Sequence, residues 1–278
     1  MALCPGWTSL VLLAGLALPA GCDGEAGTTD APAGPSSSRA GASSTLPRSD
    51  EPHALDPADL SPDIDNRYLP LQPGTRWVYG EVDEQGQELR VVVTATAVTK
   101  AIANGVTARV VRDTVTQDDE VVEDTFDWFA QDSSGTVWYL GEDTAEFEDG
   151  ELTTRSGSFE AGVDGAMAGV VMPGEPAVGM SFRQEYYEGV AEDSGEVLSL
   201  DEMADVPAGH FDDLLLTKDT DALEPEVLEY KLYSPGVGVV LTLDVSGGAG
   251  REELLAHTTV SPDVARAAGT TPLGRPYG

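Results

Sequence analysis

Between Asn66 and Val260 the chain alternates between short β-branched runs and turn residues, and few architectures accept that pattern. Leu89-Arg90-Val91-Val92-Val93-Thr94-Ala95-Thr96-Ala97-Val98 suits a pleated strand, where branched side chains pack well and lose little rotamer freedom. It is followed by Ala103-Asn104-Gly105, and Asn-Gly is the strongest two-residue hairpin signal because both positions tolerate positive φ. Thr107 to Thr116 then reads as the returning strand. An acidic turn at Gln117-Asp118-Asp119-Glu120 leads to a strand through Phe126, Trp128 and Ala130. Asp132-Ser133-Ser134-Gly135 turns the chain into Val137-Trp138-Tyr139-Leu140. Further turns are predicted at Asp149-Gly150, Asp193-Ser194-Gly195, Pro207-Ala208-Gly209, Pro235-Gly236 and Ser246-Gly247-Gly248. Strand-like runs fill the intervals, at 181–187, 196–200, 214–218, 227–233 and 237–245.

Many short strands with regularly spaced turns predict an all-β domain over residues 66–260, a single antiparallel meander curled into a barrel or half-barrel. No amphipathic helix is expected; the stretch from Asp221 to Leu228 contains Pro225 and is too short. Residues 161–179 break the rhythm, with Gly162, Gly165, Gly169, Pro173, Gly174 and Pro176 among Val163, Met167, Val170, Val171 and Met172. A long loop holding apolar residues is either a flap over a cavity or a plug at one barrel end. The tail, 261–278, with Pro262, Pro272 and Pro276, reads as flexible.

The N-terminal region has another character. Leu10 to Leu18 is apolar but too short to span a bilayer, which needs about 20 such residues. It suits the hydrophobic part of a secretory signal. The following Ala20-Gly21-Cys22 resembles the lipobox of bacterial lipoprotein signal peptides. That resemblance implies cleavage after residue 21 and a lipidated Cys22, carrying diacylglyceryl and palmitate-type chains, as the mature N-terminus. Pro19 stands where such signals usually carry Leu, and residues 1–9 contain no Lys or Arg. Cys4 and Cys22 are the sole cysteines, so processing would leave no thiol for a disulfide, a metal or a nucleophile. Residues 22–65 are rich in Gly, Ala, Ser, Thr, Pro and Asp, without period, and read as a disordered linker. A coil of about 40 residues spans roughly 35 Å, enough to lift a domain off a membrane surface.

Charge and motif content exclude several chemistries. The chain has 49 acidic and 15 basic residues, a formal net charge of -34. Nucleic-acid binding depends on Lys and Arg neutralising phosphates, so that class is excluded as a partner. With only His53, His210 and His257, a His-rich metal site is not expected. Acidic turns at 118–120 and 148–151 offer oxygens to calcium but lack EF-hand spacing, and solvated turns are the simpler reading. No G-x-S-x-G elbow, H-E-x-x-H or Walker loop occurs. The expectation is a protein that is not an enzyme, with no catalytic residue, cofactor or metal.

Three further segments carry a second resemblance. Tyr68-Leu69-Pro70-Leu71-Gln72-Pro73-Gly74-Thr75-Arg76-Trp77-Val78-Tyr79, Val206-Pro207-Ala208-Gly209-His210-Phe211 and Tyr233-Ser234-Pro235-Gly236-Val237-Gly238-Val239-Val240 occur in that order. Together they resemble uncharacterised exported bacterial β-proteins of the TapB-like group. The resemblance implies an antiparallel half-barrel comparable to the LolA/LolB lipoprotein carriers, and transfers no catalytic residue. The motif residues Pro70, Gly74, Trp77, Tyr79, Gly209, Phe211, Pro235 and Gly236 read physically as turn-formers and core anchors. The expected function is a membrane-anchored extracytoplasmic lipoprotein, held by the lipid on Cys22 and facing the periplasm or the exterior, acting as an envelope interaction module. The alternative is a carrier of a hydrophobic or amphipathic ligand in the half-barrel. The inward-facing side chains discriminate: small or apolar residues around a void favour the carrier, packed large ones the module with an envelope protein partner.

Overall fold

Turn chemistry sets the hairpins. The computed structural model describes residues 46–83, 86–246 and 250–277. Its strands are β1 (Leu60–Ser61), β2 (Thr75–Val82), β3 (Glu88–Ala101), β4 (Thr107–Gln117), β5 (Glu120–Asp132), β6 (Val137–Glu148), β7 (Glu151–Thr154) and β8 (Phe159–Glu160). They continue with β9 (Gly169–Met172), β10 (Ser181–Arg183), β11 (Asp193–Val206), β12 (Gly209–Asp221), β13 (Leu228–Ser234), β14 (Gly238–Asp244) and β15 (Arg251–Thr259), followed by helix α1 (Pro262–Ala268). Asp118 and Asp119 both adopt positive φ, at 51° and 69°, the two-residue primed turn whose twist matches paired strands. At Asn104-Gly105 the structure departs from the two-residue turn expected there. Only Gly105 is left-handed, at φ 93°, and the Ile102 N–H donates to the Val106 carbonyl at 2.8 Å. That is a three-residue loop, braced by Asn104 Oδ1 accepting the Val106 N–H.

The sheet is all-antiparallel and runs β10-β11-β12-β13-β14-β15-β2-β3-β4-β5-β6-β7, so the last strand lies beside the first long one. β8 and β9 pair with β6, and β1 with β5. The meander is curled and not closed. Its two ends approach at a seam, where the Met167 N–H donates to the Tyr186 carbonyl at 2.8 Å. Asp193-Ser194-Gly195 is no turn but the start of β11. Gly195 pairs with Asp219, and a Cβ there would lie 2.7 Å from the Phe182 ring, so the glycine serves close packing.

The inner face carries Trp77 and Tyr79 of β2, Val91 and Val93 of β3, Leu215 of β12 and Leu254 of β15. Trp77 Nε1 donates to the Val237 carbonyl at 2.6 Å and the Tyr79 hydroxyl to the Val239 carbonyl at 3.1 Å. Both bonds reach past β15, so the opening and closing motifs are stitched directly together. The segment 161–179 is partly built into the sheet: Gly169–Met172 forms β9 on β6, and Ala161, Ala166, Ala168, Val170, Val171 and Met172 are all buried, while Val163 and Val178 are exposed.

The folded body is larger than the 66–260 expected from the sequence. Residues 46–65 lie on the sheet, where the Pro47 carbonyl accepts the Arg183 N–H at 2.8 Å, the Arg183 guanidinium donates to Ser49 and Glu51 carbonyls, and Ile64 is fully buried. His53, expected in a linker, stacks on Trp138 with centroids 4.9 Å apart. The tail is a helix where none was expected. Ser261 Oγ caps it by accepting the Val264 N–H, and Pro262 sits in the first turn, where its missing donor costs nothing. Behind it the fully buried Arg112 pairs with Asp124 and donates to the carbonyls of Ala268, Thr271, Pro272 and Arg275. Seven residues are too few to show a helical period, and an arginine in a strand reads as solvent-facing. Cys22, the signal peptide and the first half of the expected linker lie outside the described residues.

Two substitutions test this packing by urea unfolding. Trp77→Ala is expected to cost about 3–5 kcal/mol, the range for truncating a buried aromatic. A midpoint matching the parent would refute its role as anchor. Arg112→Met leaves Asp124 buried without its cation and should cost about 3–5 kcal/mol as well. A change below about 1 kcal/mol would mean that the tail does not seal this pair.

Candidate functional site

The motif residues are structural staples. Gly74 takes φ 91° and its N–H donates to the Ala95 carbonyl at 2.8 Å. Gly236, at φ 75°, donates to the Arg67 carbonyl at 2.7 Å, tying the turn at Pro235 to the chain just before Pro70. Gly209 makes the β11–β12 turn, and Phe211 is half-buried against the core. The structure therefore unites the first and third motifs directly, and brings the second, in the β11–β12 hairpin, back to the strand between them, where the Ala208 N–H donates to the Leu254 carbonyl at 2.9 Å. The acidic turns at 118–120 and 148–151 are exposed. Among the described residues no three His, Cys, Asp or Glu side chains come together as a metal site requires.

The unexpected chemistry is on the inner face. Eleven carboxylates there are each less than a tenth exposed: Glu81, Asp113, Glu123, Asp127, Glu142, Glu185, Asp193, Asp219, Asp221, Glu229 and Glu252. Lys231 is the one cation buried with them among the described residues. Its ammonium lies 3.1 Å from both Asp219 and Glu229. Sheet register makes the crowding severe. Asp127 faces Glu142, Glu81 faces Glu252, Asp219 faces Glu229, and Asp193 faces Asp221, each as a direct cross-strand pair. Like charges so placed repel, and burial strengthens the repulsion.

Protons relieve it. The Tyr139 hydroxyl lies 2.9 Å from Asp127 Oδ1 and 3.0 Å from Glu142 Oε2, yet has a single proton to donate. The second contact requires a proton on one carboxyl. Burial, partly offset by the Tyr139 bond, pushes Asp127 up to about 8. Burial, with Asp244 and other acids adding, pushes Glu81 to about 8. Asp193 rises to about 7 through burial, with Glu185 lowering it by hydrogen bond. Burial first, and neighbouring carboxylates second, hold Asp113, Glu142, Glu185 and Glu252 well above the usual range. Buried oxygens without a partner remain, including both of Asp113 and one each of Asp193, Asp221 and Glu252.

Among the described residues, two small cavities accompany this chemistry. A cavity of about 70 Å³ lies between Leu71, Val93, Val111, Phe129, Val171 and Val239, and one of about 10 Å³ beside Lys231. The larger falls well short of the roughly 300–1,000 Å³ of ordinary ligand pockets. The inner face is thus filled, but with acids as much as with large apolar groups. The strand expected through Phe126, Trp128 and Ala130 is β5, and its alternation places Phe126 and Trp128 outward and sends Glu123, Thr125 and Asp127 inward.

The outer face carries an open groove of about 580 Å³. Val98, Val110, Phe126, Trp128 and Phe159 floor it, and Gly269, just past α1, forms part of a wall. Lys100 lies across it, 2.9 Å from Glu160 and 4.5 Å from the centre of the Trp128 ring. Asp143, paired with Arg155, borders the same groove.

No known family matches the sequence, and no curated protein matches it. Two solved structures are similar. One is a Bacteroides fragilis protein described as exported and of YmcC-like fold, 14% identical, TM-score 0.40, covering 70% of this chain and 100% of its own. The other is a Parabacteroides distasonis protein described as a lipoprotein, 13% identical, TM-score 0.37, covering 69% and 99%. Neither is described as TapB-like or LolA/LolB-like, and likeness at this level carries no argument about function.

The acidic inner face gives stability a definite pH dependence. Folded-state values near 7–8 exceed unfolded carboxylate values near 4, so the native state binds more protons between them. This contribution is fully present below about pH 4, declines as pH rises, and is lost above about pH 8. Thermal melts should show a lower Tm at pH 8.5 than at pH 5.5, with Asp127→Asn flattening the slope. A Tm that rises with pH over that interval would disprove the assignment.

Proposed function

We propose that the chain is a lipid-anchored extracytoplasmic protein, tethered through Cys22, that acts without catalysis as an interaction module of the cell envelope. The observation that carries the choice over a lipid carrier is the filled interior, whose larger cavity is about 70 Å³. The contact surface is the outer groove, and its occupant is a basic segment of a protein partner bearing an aromatic or long aliphatic residue. Charge argues for this chemistry, since a body of net charge -34 attracts cations and repels acidic chains. The groove argues for it locally. Lys100 already places a cation between Glu160 and the Trp128 face, the two groups that would receive a partner's Lys or Arg. Lys100 therefore acts as a placeholder that an incoming cation displaces.

Fluorescence anisotropy with labelled basic-aromatic peptides tests the reading. Removing the placeholder with Lys100→Ala should tighten binding severalfold, and Glu160→Gln should weaken it. No binding by such peptides, or weaker binding by Lys100→Ala, refutes the groove assignment. A hydrophobic molecule found by native mass spectrometry on the purified protein would instead support the carrier.

A further inference from the structure

The sheet's weakest place and its most crowded acids coincide. The seam between the β6–β9 side and β10 is not laddered like the rest of the meander. It is held by the Met167–Tyr186 bridge, by the Arg183 guanidinium donating to the Ala168 carbonyl at 3.1 Å, and by close backbone contact at Gly169. A Cβ on Gly169 would lie 1.9 Å from the Gln184 carbonyl oxygen, so the two chain segments are pressed together there. The other junctions of the long strands are antiparallel ladders of three or more paired residues, several of them interrupted by bulges.

Glu185 adjoins the bridging Tyr186, and Glu142 lies on β6 three residues beyond Tyr139, the ladder partner of Gly169 at the seam. Glu142 is faced by Asp127 and Glu123 of β5, by Tyr139 of its own strand and by Asp193 of β11. Glu185 is faced by Asp193 of β11, Asp221 of β12 and Glu142 across the seam. Asp113 of β4 stands behind Asp127 and faces Glu252 of β15, which faces Glu81 of β2 and Glu229 of β13. Asp219 of β12 and the lone Lys231 of β13 face Asp193. Lys231 is already engaged by Asp219 and Glu229, so it cannot neutralise the pair at the seam.

We propose that this seam is a proton-operated gate, closed while Glu142 and Glu185 hold their protons and opened to water, exposing the acidic inner face, once both lose them. Direct repulsion between the two carboxylates acts across the junction with the fewest hydrogen bonds. Ladders elsewhere absorb the same loss without parting. Opening converts the packed interior into an acidic trough accessible from outside.

Hydrogen exchange of the full chain, followed by mass spectrometry and corrected for the intrinsic pH dependence of exchange, tests the gate. Peptides covering 165–190 should exchange about tenfold faster at pH 8.5 than at pH 6, while those covering β3 and β4 change little. Glu142→Gln with Glu185→Gln, isosteric with the protonated pair, should keep the seam protected at pH 8.5. Equal protection of the wild-type seam at both pH values overturns the proposal. So does loosening that spreads evenly over the sheet, or that persists in the double variant. Restored protection at pH 8.5 on adding millimolar calcium chloride would also overturn it, because a metal rather than a proton would then be the natural counter-charge.

Discussion

A curled meander buries one face of every long strand, and in this protein that face pairs carboxylate with carboxylate. The constraint is electrostatic: Asp127 against Glu142, or Glu81 against Glu252, is tolerable in a dry interior only if protons are shared or retained. Much else in the fold is arranged around it. The inner strands place Thr125, Thr144, Thr242 and the tyrosines 79, 139 and 233 among the acids, supplying hydroxyls without adding positive charge. The apolar residues that hold the sheet together, from Trp77 through Val93 to Leu254, share that face with them.

Cations are kept apart from these acids. Apart from Lys231, the buried basic groups work elsewhere: Arg112 with Asp124 beneath the C-terminal tail, Arg109 beside the Pro62 carbonyl, and Arg183 against residues 49–51. Each anchors a flanking segment to the sheet by donating to backbone carbonyls, a task the planar, five-donor guanidinium suits. The ends of the described chain are therefore part of the folded body, and Gly269, just past α1, forms part of the wall of the outer groove. Arg112, which fastens the tail, thus also helps to shape the surface on which a partner would dock.

The strands and most turns were legible because they depend on local chemistry. Asp118-Asp119, Asp149-Gly150 and Pro235-Gly236 could be read from the positive φ values that their residues tolerate, and each is a turn in the fold. Asp193-Ser194-Gly195 shows the limit of that reasoning. The same residue types serve there inside a strand, because a phenylalanine from β10 occupies the space over Gly195. α1 escaped detection because its helix is one buried stripe of Ala265 and Ala268, too brief to display a period.

By itself the sequence determined the all-β class, the hairpin rhythm, the core role of Trp77 and the great excess of negative charge. Alternation separates the two sides of a strand but does not say which side faces in. For β5 both sides carry candidates, Phe126 and Trp128 on one and Glu123, Thr125 and Asp127 on the other. Hydrophobicity alone would send the aromatics inward. Only the pairing of β5 with β4 and β6, and the packing of the C-terminal tail over Arg112 on the outer face, decided the reverse. Which residues are buried depends on curvature and on what covers each face, and those are properties of the folded chain that no local pattern encodes.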